Sequence, residues 1–445
     1  MYRRDYAEAV GSTVAVLALG GCVGMDGDNG DSQGESGGDG NGGSGAATVE
    51  LWHDKGKNPN WNPIFEVATP ELNGYLAENS IEVEVVPYQS TDGYQGALRP
   101  VLGQEKGPGV FSYWAGQRLA NVVEDGYAQD ITDVWDKHIE AGRYPESLKT
   151  VFSVNGTAYA VPNQVNYWPV WYNTDVFDDL GVSPPNSWDE FRELTQTIIS
   201  ESGGDTVPVM LPLNPGWTGF IWFEELLARQ DLEFYNQLCA GEAKYTNDTA
   251  VRALELMGQL QKDGVFGDSS VSFSEGLSEL PRGLDNGDYA MTLMGSWVSG
   301  VFGGADVDFS KYDWFELPAI NRDMDDMLII EPGPFVMHKD GSSTENLKAV
   351  ADGLLSTQFR RAWTKELGGI PLNAEVDRSH LGEHMKRLAT QTAGGEFTLP
   401  LRYWENTSPE VAVPASKEMK RIFQNPDDAG SIAESLEQIR ADVYG

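Results

Sequence analysis

The chain predicts an α/β fold built on a largely parallel sheet, and three observations carry that reading. From Thr48 onward, short strand candidates alternate with helical stretches. The strand candidates are apolar or period-two runs, while the helical stretches repeat their apolar residues every three or four positions. A length of 445 residues allows a large buried core and two or three domains.

Taken in order, Val49-Glu-Leu-Trp52 is a short strand, and Ile81-Glu-Val-Glu-Val85 alternates apolar with acidic residues. Gly109-Val-Phe-Ser-Tyr113 is a third strand, followed by a helix that carries Leu119, Val122 and Val123 and stops at Gly126. After Pro184-Pro185, Ser187-Trp-Asp-Glu190 is a capping box, and Phe191, Leu194 and Ile198 share one face of the helix it opens. That helix ends at Gly203-Gly204. A further helix runs through Leu254, Met257 and Leu260 to Gly264, and the last carries Ile432, Leu436, Ile439 and Val443. No internal repeat is visible.

Ahead of this body lies an address. Arg3-Arg4 precedes the apolar stretch Val14–Leu19, which is far short of the ~20 residues of a spanning helix but suits an export signal. The arginine pair resembles a twin-arginine signal, with Ala7 standing where a bulky apolar residue is usual. Leu19-Gly-Gly-Cys22 resembles a lipobox, which makes Cys22 the expected lipidation site. Residues 1–22 are therefore read as signal and anchor, and residues 23–47, nearly devoid of apolar side chains, as a flexible acidic tether. Only Cys239 then remains, so no intrachain disulfide is available.

Charge narrows the partners. The chain holds 68 acidic against 31 basic residues, a formal net charge of −37. Such a surface repels nucleic acid and anionic membranes, so attachment to the membrane is expected through the lipid alone. The acids are dispersed rather than blocked, the pattern expected of a protein kept hydrated in strong brine, in a salt-loving prokaryote such as an archaeon.

The order of local blocks resembles the family 1 extracellular solute-binding proteins, the group of the maltose- and glycerophosphate-binding proteins of ABC importers. Val154-Asn-Gly-Thr-Ala-Tyr-Ala-Val-Pro162 is similar to the family's hairpin, and Trp171-Tyr-Asn-Thr-Asp-Val-Phe177 and Pro184-Pro-Asn-Ser-Trp-Asp-Glu-Phe191 to the blocks after it. Asn286-Gly-Asp-Tyr-Ala-Met-Thr-Leu-Met-Gly-Ser-Trp297 and Leu367-Gly-Gly-Ile-Pro-Leu372 complete a collinear series over residues 48–445. Glu331-Pro-Gly-Pro334 departs from the family's glycine-rich pattern, and residues 321–326 are unusually acidic. The resemblance implies a two-lobed periplasmic-binding-protein-like fold with a ligand cleft between the lobes. Lobe one would hold 48–165 plus 328–375, and lobe two 166–327 plus 376–445. It further implies a monomer that captures a sugar or polyol and delivers it to membrane permease subunits, without a cofactor.

A saccharide presents hydroxyl groups and flat patches of C–H, which aromatic rings and two-pronged polar side chains recognise. Ligands of open α/β sheets sit beyond the carboxyl ends of strands. That rule selects Trp52 and His53 after the first strand and Trp114 after the third. Tyr167 and Trp168 lie at the expected crossing between lobes, Trp217 follows Pro215-Gly216, and Trp297 ends its block. Glu331, Arg402 and Trp404 complete the candidates, although each tryptophan has a plain packing role as its alternative.

Enzyme readings are weaker. His380-Leu-Gly-Glu-His384 matches an H-x-x-E-H zinc pattern, but Gly382 weakens the helix that would align the two histidines, so no metal is expected. A hydrolase would need two carboxylates across the cleft, which an acid-rich sequence can neither supply nor deny by pattern. Carbohydrate hydrolysis, or binding of glycerophosphate or a peptide, is the alternative to sugar capture.

Overall fold

Alternation along the first strand sets the two faces of the first sheet. In β1 (Ala47–His53), Val49, Leu51 and His53 are buried while Thr48 and Glu50 face solvent. β1 pairs in parallel with β2 (Ile81–Pro87), Val49 opposite Val83, and with β3 (Val110–Ser112), Leu51 opposite Val110. The helices Asn62–Leu76 and Thr91–Leu102 make the crossovers, giving the βαβαβ order that the sequence predicts. This computed structural model describes residues 46–55, 62–88, 91–104, 107–321 and 323–445. The export signal, Cys22 and all but the last two residues of the 23–47 segment lie outside the described residues, and Ala47 already belongs to β1.

Asn155 and Gly156 both have positive φ, 51° and 81°, and make the two-residue turn of the hairpin β4 (Ser153–Val154) and β5 (Thr157–Ala158). β6 (Ala160–Tyr167) follows, and two residues later the chain enters β7 (Val170–Asn173) in a different sheet. β8 (Val207–Val209), β9 (Tyr289–Leu293) and β10 (Tyr312–Phe315) join β7 there in the order β10-β7-β9-β8. β11 (Ile330–Met337) returns to the first sheet, whose order is β2-β1-β3-β11-β6, and pairs antiparallel with both β3 and β6, so the sheet is mixed rather than largely parallel as the sequence predicts.

β11 is paired on both sides yet contains Pro332 and Pro334, which cannot donate to a ladder. The pairing with β6 shifts register between Gly333 and Pro334, and this bulge accommodates them.

The helices begin where their caps say. Ser187 Oγ accepts the Glu190 N–H at 3.2 Å, while the Glu190 carboxylate accepts the Asn186 N–H at 2.7 Å, and the helix Trp188–Glu201 follows. The helix Asp248–Lys262 buries Leu254, Met257 and Leu260, and the helix Ala429–Tyr444 buries Ile432 and Leu436 while Val443 is exposed. Among the described residues no helix is long and apolar enough to cross a membrane.

Two backbone runs fix the connection between the sheets. Trp168 N–H donates to the Ile329 carbonyl at 3.0 Å. Residues 398–402 run parallel to 327–330: Ile330 N–H donates to Pro400 and Arg402 N–H donates back to Ile330. Arg402 and Glu331 are thereby held side by side at the crossing.

Candidate ligand-binding site

A cavity opens at the carboxyl ends of β1 and β3. His53, Asp54 and Lys55 come from the end of β1, and Ser112, Tyr113 and Trp114 from the end of β3. Asn163 and Gln164 from β6, Glu331, Pro332 and Gly333 from β11, and Glu405 from the short helix Tyr403–Asn406 close it. The enclosed space is about 40 Å³, against ~300–1,000 Å³ for pockets that engulf small ligands.

Some of the buried polar atoms that lack a hydrogen bond among the described residues line this cavity. Gln164 Oε1 and both carboxylate oxygens of Glu405 are buried without a hydrogen bond among the described residues. Buried polar atoms are nearly always paired, by protein or by ordered water, so these orphans make the cavity a candidate binding site. Burial pushes the Glu405 carboxyl up to about 7; Arg402 opposes the shift and Glu331 adds to it.

His53 is the buried floor. It packs edge-on against Phe65 and Phe335, and burial lowers its pKa to about 4, which makes it neutral. Its Nδ1 accepts the Lys55 N–H at 3.1 Å, so the single ring proton sits on Nε2, 3.1 Å from the Asn163 amide.

Behind the cavity, Glu331 Oε2 collects three donors: Trp297 Nε1 at 3.0 Å, Trp168 Nε1 at 3.3 Å and Arg402 Nη1 at 3.2 Å. The Arg402 guanidinium lies over the Trp168 ring at 3.9 Å and the Phe220 ring at 4.9 Å. Its Nε is 3.6 Å from Glu224, whose other oxygen accepts the Tyr403 N–H at 2.8 Å. Burial works against the charge of Arg402, but Glu331, Glu405 and Glu224 together outweigh it and raise its pKa. Trp168, Trp217 and Trp297 form a triad with centroids 6.2–6.4 Å apart. Gly295 makes the triad possible, since a Cβ there would lie 2.4 Å from Trp297 Nε1 and 3.1 Å from Trp168.

A second set of contacts backs the cavity wall at Trp114. Arg118 sits between the rings of Trp114 (5.1 Å) and Trp404 (4.8 Å), and its Nε donates to the Trp404 carbonyl at 3.2 Å. Gly116, at φ 62°, lets this happen: a Cβ would stand 2.5 Å from the Glu405 carbonyl oxygen.

Of the ten candidates from sequence, the structure places His53, Trp114 and Glu331 on the cavity wall. Trp168, Trp217, Trp297 and Arg402 gather around Glu331, and Trp404 stands across Arg118 from Trp114. Two stand apart. Trp52 alternates to the face opposite His53, where it donates to Glu50 at 2.8 Å and packs on Tyr88. Tyr167 is buried with its side chain toward Thr392. Asp54, Lys55, Ser112, Tyr113, Asn163, Gln164 and Glu405 escaped the sequence reading. The strand-end rule reaches the first four when extended by two residues, and Asn163-Gln164 stands out as a polar pair inside an apolar strand.

His380 and His384 flank the start of the helix Glu383–Gly394. The helix begins only at Glu383, so the two histidines do not share a helical face. Glu383 pairs with Lys386 at 2.8 Å, and His384 packs on Phe309. Among the described residues no cluster of three or more metal-ligating side chains occurs.

The bacterial extracellular solute-binding protein family matches residues 58–358, and the chain belongs to that family. An osmoprotective-compounds-binding protein of Synechocystis is 23% identical over 277 residues, covering 60% of this chain and 65% of that protein. An alpha-glucosides-binding periplasmic protein of Rhizobium meliloti is 26% identical over 271 residues, covering 57% and 55%. The matched stretch thus spans less than two thirds of the length of either relative. Among solved structures, a bacterial solute receptor with a preference for β-D-galactopyranose superposes with a TM-score of 0.76 at 18% identity, covering 90% of this chain and all of that one. The likeness shows a two-lobed solute-binding-protein fold, and the relatives are binding proteins rather than enzymes.

Proposed function

We propose that this chain is the solute-capturing component of an ABC importer and that its cargo is a saccharide or polyol. The observation that carries the reading is the cavity at the strand ends, walled by Trp114 and by buried polar atoms without partners. Relatives that bind alpha-glucosides and osmoprotective compounds support it. In this reading lobe one carries the first sheet, residues 48–165 plus 328–375, and lobe two the second, 166–327 plus 376–445. The ligand occupies space gained as the lobes part, since about 40 Å³ holds a few waters and no sugar. Trp114 and Glu331 would touch the ligand, while Arg402, Trp168 and Trp297 would hold Glu331 in place. The protein would act as a monomer, handing its ligand to the permease without chemistry on it.

A thermal-shift screen of sugars and polyols in concentrated salt tests the cargo. A ligand at about 100 times its Kd stabilises by roughly 2.7 kcal/mol, an easily read shift. A screen in which no saccharide or polyol moves the melt sinks the proposal, and cleavage of a glycoside would replace it with hydrolysis. We also infer a lipid anchor at Cys22 after twin-arginine export; a Cys22→Ser protein that stays in the membrane fraction after a salt wash would refute the anchor.

A further inference from the structure

The charged groups around the cavity define what kind of saccharide it accepts. Three carboxylates, Asp54, Glu331 and Glu405, line it against one cation, Lys55. Arg402 would be the natural receptor for an anionic ligand, but its guanidinium is already committed. Glu331 and Glu224 flank it at 3.2 and 3.6 Å, Trp168 covers its face, and only 5% of its side chain is exposed. An incoming anion would have to evict one of those carboxylates. Arg118 keeps an unpartnered Nη2, yet it is sandwiched between Trp114 and Trp404 and does not line the cavity.

The unclaimed atoms are acceptors. All three donors to Glu331 converge on Oε2, so Oε1 receives none of them. Glu405 is 1% exposed; its Oε2 lies 4.0 Å from Arg402 Nε, but neither of its oxygens has a hydrogen bond among the described residues. Gln164 Oε1 adds a further unpartnered acceptor on the same cavity. We propose that Glu405 and Oε1 of Glu331 form a hydrogen-bond-accepting wall that reads adjacent hydroxyl groups of an uncharged saccharide and turns away anionic sugars. The proposal rests on the saccharide reading above and narrows it. Above about pH 7, where Glu405 is ionised despite its raised pKa, its carboxylate has two oxygens and no proton to give, so it rewards a ligand that donates twice. A ligand carboxylate or phosphate would instead meet like charge where little water is left to screen it.

The experiment titrates the full chain by calorimetry with D-glucose, D-galactose, maltose and lactose, and with the uronate and 6-phosphate of each hexose. The neutral sugar that binds should do so at least 100-fold more tightly than its uronate or phosphate. Glu405→Gln should weaken the neutral sugar about tenfold, leave the uronate nearly unchanged and so narrow the preference about tenfold. Glu405→Asp keeps the charge but withdraws the oxygens, so it should weaken the neutral sugar and retain the rejection of anions. That second variant decides the matter if Glu405→Gln does not fold. A uronate or phosphate bound as tightly as its neutral parent would overturn the wall while leaving saccharide capture intact. Unchanged neutral-sugar affinity in both variants would overturn it too. Failure of every sugar to bind would overturn the saccharide reading and the wall with it.

Discussion

Arg402 lies over the indole of Trp168, its guanidinium carbon 3.9 Å from the ring centroid, at the point where the chain passes from one sheet to the other. The contact joins two crossing segments. Trp168 lies between β6 and β7, and Arg402 ends the run that pairs with residues 327–330. Through Glu331 the same guanidinium reaches the cavity wall, so the crossing and the site share one set of interactions. A change in the angle between the lobes would pass through residues that also hold the candidate ligand contact.

Replacing Arg402 with lysine should therefore be severe despite the retained charge. Lysine is a compact point charge that cannot face Trp168 while bonding Glu331 and Glu224 together. Leaving a buried carboxylate unpaired costs about 3–5 kcal/mol. We expect a clear loss of stability in denaturant melts together with at least a tenfold loss of sugar affinity. A variant with wild-type stability would show that the guanidinium is not the anchor of the crossing.

Trp297 separates packing from positioning. It is half-buried, and its Nε1 donates to Glu331 at 3.0 Å. Trp297→Phe keeps a ring in the triad and removes that donor, so affinity should fall several-fold with little change in the melt. Trp297→Ala removes the ring as well and should approach the 3–5 kcal/mol of a core aromatic deletion. Equal affinity in wild type and the phenylalanine variant would return Trp297 to plain packing.

Much of the fold is legible in the sequence because its signals are local. The Asn155-Gly156 turn, the Ser187 cap and the alternation of β1 each need only a few neighbouring residues. Even Glu331 and Arg402 could be nominated one by one, but their pairing depends on two backbone runs far apart in sequence meeting at Ile330 and Pro400. Glu405 is illegible for a different reason: one acid among 68 has no local mark, and its significance comes from burial without a partner. Trp52 shows the opposite failure. The strand-end rule selects it beside His53, yet period two can send only one of two neighbours to each face, and Trp52 goes to the side of Glu50.

Asp352 should set the acid limit of the first-sheet region. It accepts hydrogen bonds from Tyr75, Lys137 and His138, all at 2.8 Å, and so ties three helices together. Burial works against its charge, but those donors outweigh it and hold the carboxyl well below the usual range. A carboxyl depressed in the folded state stabilises fully above its unfolded value and loses that contribution as pH falls through the folded one. Asp352→Asn should thus melt below wild type at neutral pH, and the gap should close as the pH drops below about 4. A gap of constant size down to strong acid would mean that the charge contributes nothing.

The charge balance makes the final prediction, and two opposing effects decide its sign. Salt weakens attractive surface pairs such as Lys262–Asp427 at 2.9 Å and Lys348–Asp133 at 2.8 Å, each worth about 0.2–1 kcal/mol. It also weakens the mutual repulsion of a chain with net charge −37. Repulsion is shared by every unpaired acid, so it should win, and the melting temperature should rise with potassium chloride. Most of the rise should come by about 1 M, where the screening length has fallen to about 3 Å. One position tests the cause directly. Glu84 on β2 sits in register with Glu50 on the neighbouring β1, two like charges side by side on an exposed face. Glu84→Gln should stabilise the protein at low salt, where the pair repels, and lose that advantage in multimolar salt. If the wild-type melt is flat across that range, or if Glu84→Gln gains the same amount at every salt concentration, repulsion between acids is not what salt relieves.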